Sequence, residues 1–335
     1  MSPSGLAPGS RTPGDPELAA ALRRLPRTSL LVVGDAMLDR YIFGQVTRVS
    51  MEAPVPILCV EREVASPGGA GNVVRNLTAL GAAVAFVSVV GDDQPGADLT
   101  GLVGRQPGVE PWLLVQGGRV TTRKTRYVAH GQQLLRADRE QVDPVHPKLA
   151  DRLVRIAREA MAATSVTVLS DYGKGVLAGD VPAQLIAAAR TAGRKVIVDP
   201  RGSDYARYAG ADVIVPTWRE LSAATGMPAD TDDAVAAASA RLRQQHDVGA
   251  VVVMRGEAGI SLHDGAVRHF AVELGEVFDL SGVNDAVVAA LAAGIVGGLP
   301  LERAVQLATV AAGVVAGKVG TAVAQSAELL AALGE

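Results

Sequence analysis

The sequence predicts an α/β fold: a mostly parallel sheet with helices on both faces, and a small β-sheet lid over one end. Three observations carry this. Short Val/Ile-rich runs alternate with longer Ala/Leu-rich runs along most of the 335 residues, the pattern of repeated βαβ units. Several short runs stop at Gly or Asp, as parallel strands do at the carboxyl edge where α/β ligand sites form. Two segments, about 41–64 and 119–139, break the alternation with period-two patterning and read together as a lid.

Taken in order, residues 1–27 begin MSPSGLAPGSRTPGDP. This stretch is rich in Pro, Gly and Ser and has no apolar h-region, so a disordered leader is expected rather than a signal peptide. The run 28–34 (TSLLVVG) is a buried strand ending in Gly34-Asp35. Further strands are expected at 84–90, 165–170, 194–198, 212–215 and 249–254. Helices are expected at 69–81, 148–163, 181–192, 218–225, 231–245, 285–297, 301–317 and 325–333. No repeat or linker divides the chain, so residues 28–333 are expected to form one domain.

Bulk properties narrow the function. A 48% hydrophobic, 3% aromatic composition requires a core of Ala, Val and Leu. Net charge is −3, from 32 basic and 35 acidic residues, which argues against nucleic-acid binding by bulk charge. The single cysteine, Cys59, lies in VPILCV and is expected to be a buried thiol in a cytoplasmic protein. Five histidines show no metal-ligand spacing, and the apolar run 286–298 is too short to span a membrane.

The most informative stretch is Asp279-Leu-Ser-Gly-Val-Asn-Asp285 before an apolar helix. A turn ending in Asp at a helix start presents N–H groups that hold a phosphoryl group and a carboxylate that takes a proton from a hydroxyl. Other motifs are individually ambiguous. PGGAGNVVRNLTALG (67–81) opens a helix on glycines but lacks the context of a dinucleotide fingerprint; a tight loop explains it as well as a site. Asp35 and Asp39 suit sugar hydroxyls or an ordinary turn. In LSDYGKG (169–175), Asp171 and Lys174 fit a surface ion pair or a phosphate site. Arg201 could meet phosphate or solvent. Glu220 in VPTWREL could reach Mg²⁺ through water or serve only the helix dipole.

The fixed order of these pieces resembles the PfkB, or ribokinase-like, carbohydrate kinases over essentially all of residues 28–333. The segments VVGDAMLDRYIFG (32–44), RVSMEAPVPI (48–57), PGGAGNVVRNLTALGA (67–82), GQQLLRAD (131–138), LSDYGKG, VDPRGSDYARYAGA (198–211) and AAGVVAGKVGT (311–321) are most similar to the heptose 7-phosphate 1-kinases within that family. No His-x-Gly-His sequence occurs, so a kinase part without an adenylyltransferase part is expected. The resemblance implies a ribokinase-like three-layer αβα fold and ATP-dependent phosphorylation of D-glycero-β-D-manno-heptose 7-phosphate at O1. The implied partners are heptose phosphate, ATP with Mg²⁺, a monovalent cation near Asp279, and a second copy joined through the lid.

By the same resemblance, Asp285 is the general base and Gly282, Val283 and Asn284 form the anion hole. Asp35, Asp39, Gly68, Gly69, Asn72, Asp171 and Lys174 are candidates for the sugar, with Arg48, Lys124 and Arg126 for its phosphate. Thr217, Trp218, Arg219, Glu220, Arg255, Gly256, Gly259, Thr309 and Gly313 are candidates for the nucleotide, Glu220 also meeting the metal through water. The chain departs from the family pattern at Val283 and Asn284, where small residues are usual, and at Thr217, Met254 and Thr309. If Asn284 occupies a left-handed position it is the least costly non-Gly choice. All these departures fall on the nucleotide half. They leave open a sugar-phosphate-binding protein with little activity, and a kinase for another phosphosugar.

Overall fold

The computed structural model describes residues 15–272 and 280–335. The chain opens on α1 (Pro16–Arg24), whose start is locally encoded: Asp15 accepts the Leu18 N–H at 3.2 Å and Pro16 fills the first position. Leu18, Leu22 and, in the following turn, Leu25 are fully buried. The leader expected over residues 1–27 is contradicted from Asp15 onward. From there to Arg27 the chain is ordered, because an amphipathic helix covers the main core; residues 1–14 lie outside the described residues.

Next come β1 (Ser29–Gly34), a long ribbon of β2 (Ala36–Val49) and β3 (Pro56–Gly69), α2 (Ala70–Ala79), β4 (Ala83–Gly91), α3 (Gln94–Gly104) and β5 (Val109–Gln116). A second ribbon follows, β6 (Arg123–Ala129) and β7 (Gln132–Arg139). The chain continues through α4 (Pro147–Met161), β8 (Val166–Ser170), α5 (Val181–Thr191), β9 (Lys195–Asp199), β10 (Val213–Ile214), α6 (Trp218–Thr225) and α7 (Asp232–His246). Three short strands, β11 (Ala250–Met254), β12 (Ile260–His263) and β13 (Val267–Phe270), precede the closing helices α8 (Val283–Val296), α9 (Leu301–Ala316) and α10 (Ser326–Ala332).

Nine strands form the main sheet in the order β13-β12-β11-β10-β9-β8-β1-β4-β5. All neighbours are parallel except β11–β12 and β12–β13. Alternation along β1 builds two cores: Leu30 and Val32 pack with α1, α2, α8 and α9, while Leu31 and Val33 pack with α4, α5 and α7. This is the three-layer arrangement expected. The helix α8 is apolar on every side, and residues 285–294 are all buried, as a helix covered all round must be. A four-stranded sheet, β3-β2-β6-β7, leaves this body; its pairs are antiparallel except β2–β6, which is parallel.

The strand order positions the site. After β1 the chain builds outward through β4 and β5, then returns to β8 on the other flank of β1. The connections leaving the carboxyl ends of the paired strands β1 and β8 thus run to opposite sides, the usual ligand position in such sheets. Some elements were not expected. The sequence of α3 carries Pro95, Gly96, Gly101 and Gly104, which mask a helix that buries Leu99 and Val103. β5 is an edge strand with a mostly exposed pattern and Pro111 within it. Cys59 is exposed, not buried. It lies on β3 where the ribbon has left the main body, so its apolar neighbours face no core.

Candidate active site

The helix α8 begins at Gly282, whose φ of +82° is left-handed. Positive φ occurs among described non-glycine residues only at His130 and Asp247, so neither Val283 nor Asn284 occupies such a position. The strain considered for Asn284 does not arise: glycine is kept at the one residue that needs it. Val283 packs against the main core, and Asn284 is exposed. As first-turn residues, Asn284 and Asp285 present N–H groups that helix geometry leaves without an intrahelical acceptor.

Asp285 sits in this first turn, 5% exposed. Its Oδ2 accepts from Asn72 Nδ2 at 2.7 Å, and its Oδ1 accepts from the Tyr172 hydroxyl. Burial raises the carboxyl to a pKa of about 6, and the two donated hydrogen bonds pull against that rise. A carboxyl so poised is largely ionised at neutral pH and can take up a proton. Asn72 comes from α2, whose start is set by glycine: Gly69 has φ +56°, and a Cβ there would strike the Asp35 carbonyl. A Cβ on Gly68 would collide with the Asp39 carboxylate. Asp39 is 3% exposed and pairs with Arg126 at 2.6 Å.

Several expected residues do other work. Asp35 is 1% exposed and accepts three backbone N–H groups, from Tyr172 (2.8 Å), Lys174 (3.0 Å) and Val176 (2.9 Å). These bonds fold the 171–176 loop that delivers Tyr172. Asp171 accepts from Arg207 and the Tyr208 hydroxyl, each at 2.7 Å, and from the Gly173 N–H. Lys174 pairs with Glu140 at 2.9 Å and Lys124 with Asp138 at 3.6 Å. Arg48 is exposed near the outer end of β2. Nine residues of strand separate it from Asp39, roughly 30 Å, so the chain does not bring it to its own site.

On the other flank, Thr217 caps α6 in a capping box with Glu220, which also pairs with Arg201 at 3.0 Å. Arg219 lies over the Trp218 ring at 5.0 Å. Arg255 meets Asp232 at 2.5 Å and Ser261 Oγ at 3.2 Å, so its cation is already partnered. Gly256 and Gly259 turn at positive φ, and a Cβ on Gly259 would strike the Phe270 carbonyl. Packing against β13 thus accounts for Gly259. Thr309 donates to the Gln306 carbonyl at 2.7 Å, and Gly313 lies one turn further along α9. Asp279 lies outside the described residues.

Sequence reasoning missed Tyr172, Arg75 and Asp199 as site residues, though each falls inside a quoted motif. Tyr172 is the middle of LSDYGKG. Asp199 ends β9, is 8% exposed, and is held well above the usual carboxylate range by burial and by the charges of Asp285, Glu220 and Asp171.

The fold and this constellation are those of a carbohydrate kinase. The chain belongs to the pfkB family of carbohydrate kinases, which it matches over residues 27–328. It is 59% identical over 320 residues to the bifunctional protein HldE of Acidiphilium cryptum, covering 95% of this chain and 66% of that protein. It is 51% identical over 322 residues to the protein of the same name from Paramagnetospirillum magneticum, again covering 95% and 66%. The chain thus spans just under two thirds of these relatives' length. Its fold is similar to Arabidopsis thaliana ribokinase complexed with ribose and ATP (TM-score 0.72, 21% identity, 92% of this chain and 99% of that one). It is also similar to Escherichia coli phosphofructokinase-2 in complex with potassium (TM-score 0.73, 19% identity, 92% and 99%).

Proposed function

We propose that the chain transfers the γ-phosphoryl group of ATP to O1 of D-glycero-β-D-manno-heptose 7-phosphate, giving the 1,7-bisphosphate, with Asp285 as general base. The observation that carries this is the Asp285 carboxylate, buried at the start of α8 and held by Asn72 and Tyr172. The sugar lies against Asp39, Gly68, Gly69 and Asn72, so that O1 approaches Asp285. Asp285 takes the O1 proton as the oxygen attacks the γ-phosphorus, and ADP departs with the bridging oxygen. The first-turn N–H groups of α8, with Gly282, Val283 and Asn284, face the transferring phosphoryl and stabilise its charge without reorganising. The heptose is favoured as substrate by the GDAMLDRY and EAPVP segments and by the similarity to the HldE proteins.

Magnesium fits the acidic flank. Asp199 is a buried carboxyl surrounded by like charges, which a divalent cation would relieve. Among the described residues no three His, Cys, Asp or Glu side chains stand close enough to hold a metal alone. Water-mediated contact from Asp199 and Glu220 to an ion carried mainly by ATP phosphates suits that donor set. When bound, the ion would neutralise phosphate charge. A monovalent cation near Asp279 belongs to the same reading, motivated by the potassium complex of the phosphofructokinase-2 neighbour.

The small sheet is the proposed dimer contact: Val49, Met51, Val55, Val60 and Leu135 expose apolar side chains along it. Among the described residues no helix is long and apolar enough to cross a membrane, and a cytoplasmic location belongs to the same proposal, in keeping with ATP as donor. The substrate assignment is tested by ³¹P NMR of the chain incubated with Mg-ATP and the heptose 7-phosphate. A new anomeric phosphate signal beside the retained 7-phosphate is expected. A signal only with another phosphosugar, or none with any, would overturn the assignment.

A further inference from the structure

We infer that Arg75 is a positioning residue for the base: it fixes which end of the Asn72 amide faces Asp285. Arg75 Nη1 donates to Asn72 Oδ1 at 2.9 Å, and Asn72 Nδ2 donates to Asp285 Oδ2 at 2.7 Å. An amide has one accepting and one donating end. With a cation on its oxygen and a carboxylate on its NH₂, Asn72 has only one favourable orientation. Without the cation the amide can turn over and set its oxygen against the carboxylate, which removes a donor and adds repulsion.

Arg75 is itself held. It projects from α2 one turn after Asn72, and Nη1 also donates to the Thr321 carbonyl at 2.9 Å. The Thr321 N–H donates to the Tyr41 hydroxyl at 2.9 Å, and the Ala324 N–H donates to Asn76 Oδ1 at 3.2 Å. The 321–324 loop is therefore pinned to α2 and to the small sheet, and Arg75 is fixed by it.

Asp285 is faced by Asn72 and Arg75 from α2, Tyr172 from the loop after β8, Asp39 from β2 and Asp199 from the end of β9. Arg75 is the cation hydrogen-bonded to the amide that faces Asp285, whereas Arg126 is paired with Asp39. Its removal should therefore change the titration of Asp285, which loosening the loop alone would not do. The inference rests on Asp285 being the base, but its test does not need turnover.

The carboxyl of Asp285 can be followed by ¹³C NMR in protein labelled at aspartate Cγ, its resonance identified as the one lost in Asp285→Asn. In Arg75→Met the midpoint is expected to rise by about one pH unit, tenfold in the ionisation constant. Arg75→Lys, which keeps the charge without the planar fork, should shift it by less than half as much. Tyr41→Phe, which removes one contact of the loop with the small sheet and leaves Ser66 Oγ against Thr321 Oγ1 at 3.4 Å, should leave it in place. An unmoved midpoint in Arg75→Met, or an equal shift in Tyr41→Phe, would overturn the inference. In the kinase assay the acid limb should move with the midpoint while KM for ATP stays within twofold; a rise in KM alone would also overturn it. Wild-type turnover by Asp285→Asn would instead refute the base assignment, and the titration result would stand separately.

Discussion

Burial and hydrogen bonding pull the Asp285 carboxyl in opposite directions, and burial is the larger effect. The consequence for stability has a definite sign. A carboxyl with a raised folded-state pKa binds its proton more tightly when folded, so stability falls as pH rises from about 4 to about 6 and stays reduced above that. A rise of this size corresponds to about 3 kcal/mol. Asp285→Asn should therefore raise the melting temperature by a few degrees at pH 7.5 and leave it nearly unchanged at pH 4, because the Tyr172 hydroxyl can rotate to accept from the new amide. A melting temperature lowered at pH 7.5 would refute this. The same change should cost 10²–10⁴ in kcat, the usual contribution of a general base. Tyr172→Phe removes one donor from Asp285, so the acid limb of kcat/KM should move upward; an unchanged limb would show that Tyr172 does not act on the base.

At the level of elements, much was legible. The boundaries expected for the helices from 148 onward fall within two residues of those observed, because Ala/Leu-rich runs flanked by Pro and Gly carry their own start and stop signals. The turn before α8 was legible in part: Asp in the first turn of an apolar helix is a local feature, whereas the left-handed position falls at Gly282 and not at Asn284. What could not be read is what depends on distant partners. Asp35 was read as a sugar ligand or an ordinary turn residue, and its carboxylate holds a loop over 130 residues later in the chain. Arg48 was placed with the substrate because sequence shows that it is on the lid, but not how far out. The helix α1 was hidden by the Pro- and Gly-rich stretch before it. Its burial is substantial, and Leu22→Ala should cost about 2–5 kcal/mol in urea unfolding; a change under about 0.5 kcal/mol would mean that α1 does not belong to the core.

For the whole molecule, the opposite directions in which the chain leaves β1 and β8 assemble residues from five separated stretches: Asp39, Gly68 to Arg75, Tyr172, Asp199 and Asp285. That assembly explains why no single motif was decisive. Among the described residues, Val49, Met51, Val55, Val60 and Leu135 give the small sheet an exposed apolar surface. Met51→Asp together with Leu135→Asp should convert a dimer to monomers in sedimentation velocity while thermal stability of the main body changes little. A dimer that persists would move the contact elsewhere. The departures at Thr217, Met254 and Thr309 fall in elements that are otherwise well formed: Thr217 completes a capping box and Met254 is buried at the end of β11. These replacements are accommodated in the fold, which favours a working nucleotide flank.

The most direct test is the rate of ATP-dependent phosphorylation of D-glycero-β-D-manno-heptose 7-phosphate by the chain and by its Asp285→Asn variant, with calorimetric binding of the sugar phosphate measured for both. The expected result is turnover by the chain and a loss of 10²–10⁴ in the variant, with sugar-phosphate affinity within a few-fold. Binding without turnover by the unaltered chain, or equal turnover by the two proteins, would contradict a kinase that uses Asp285 as its base.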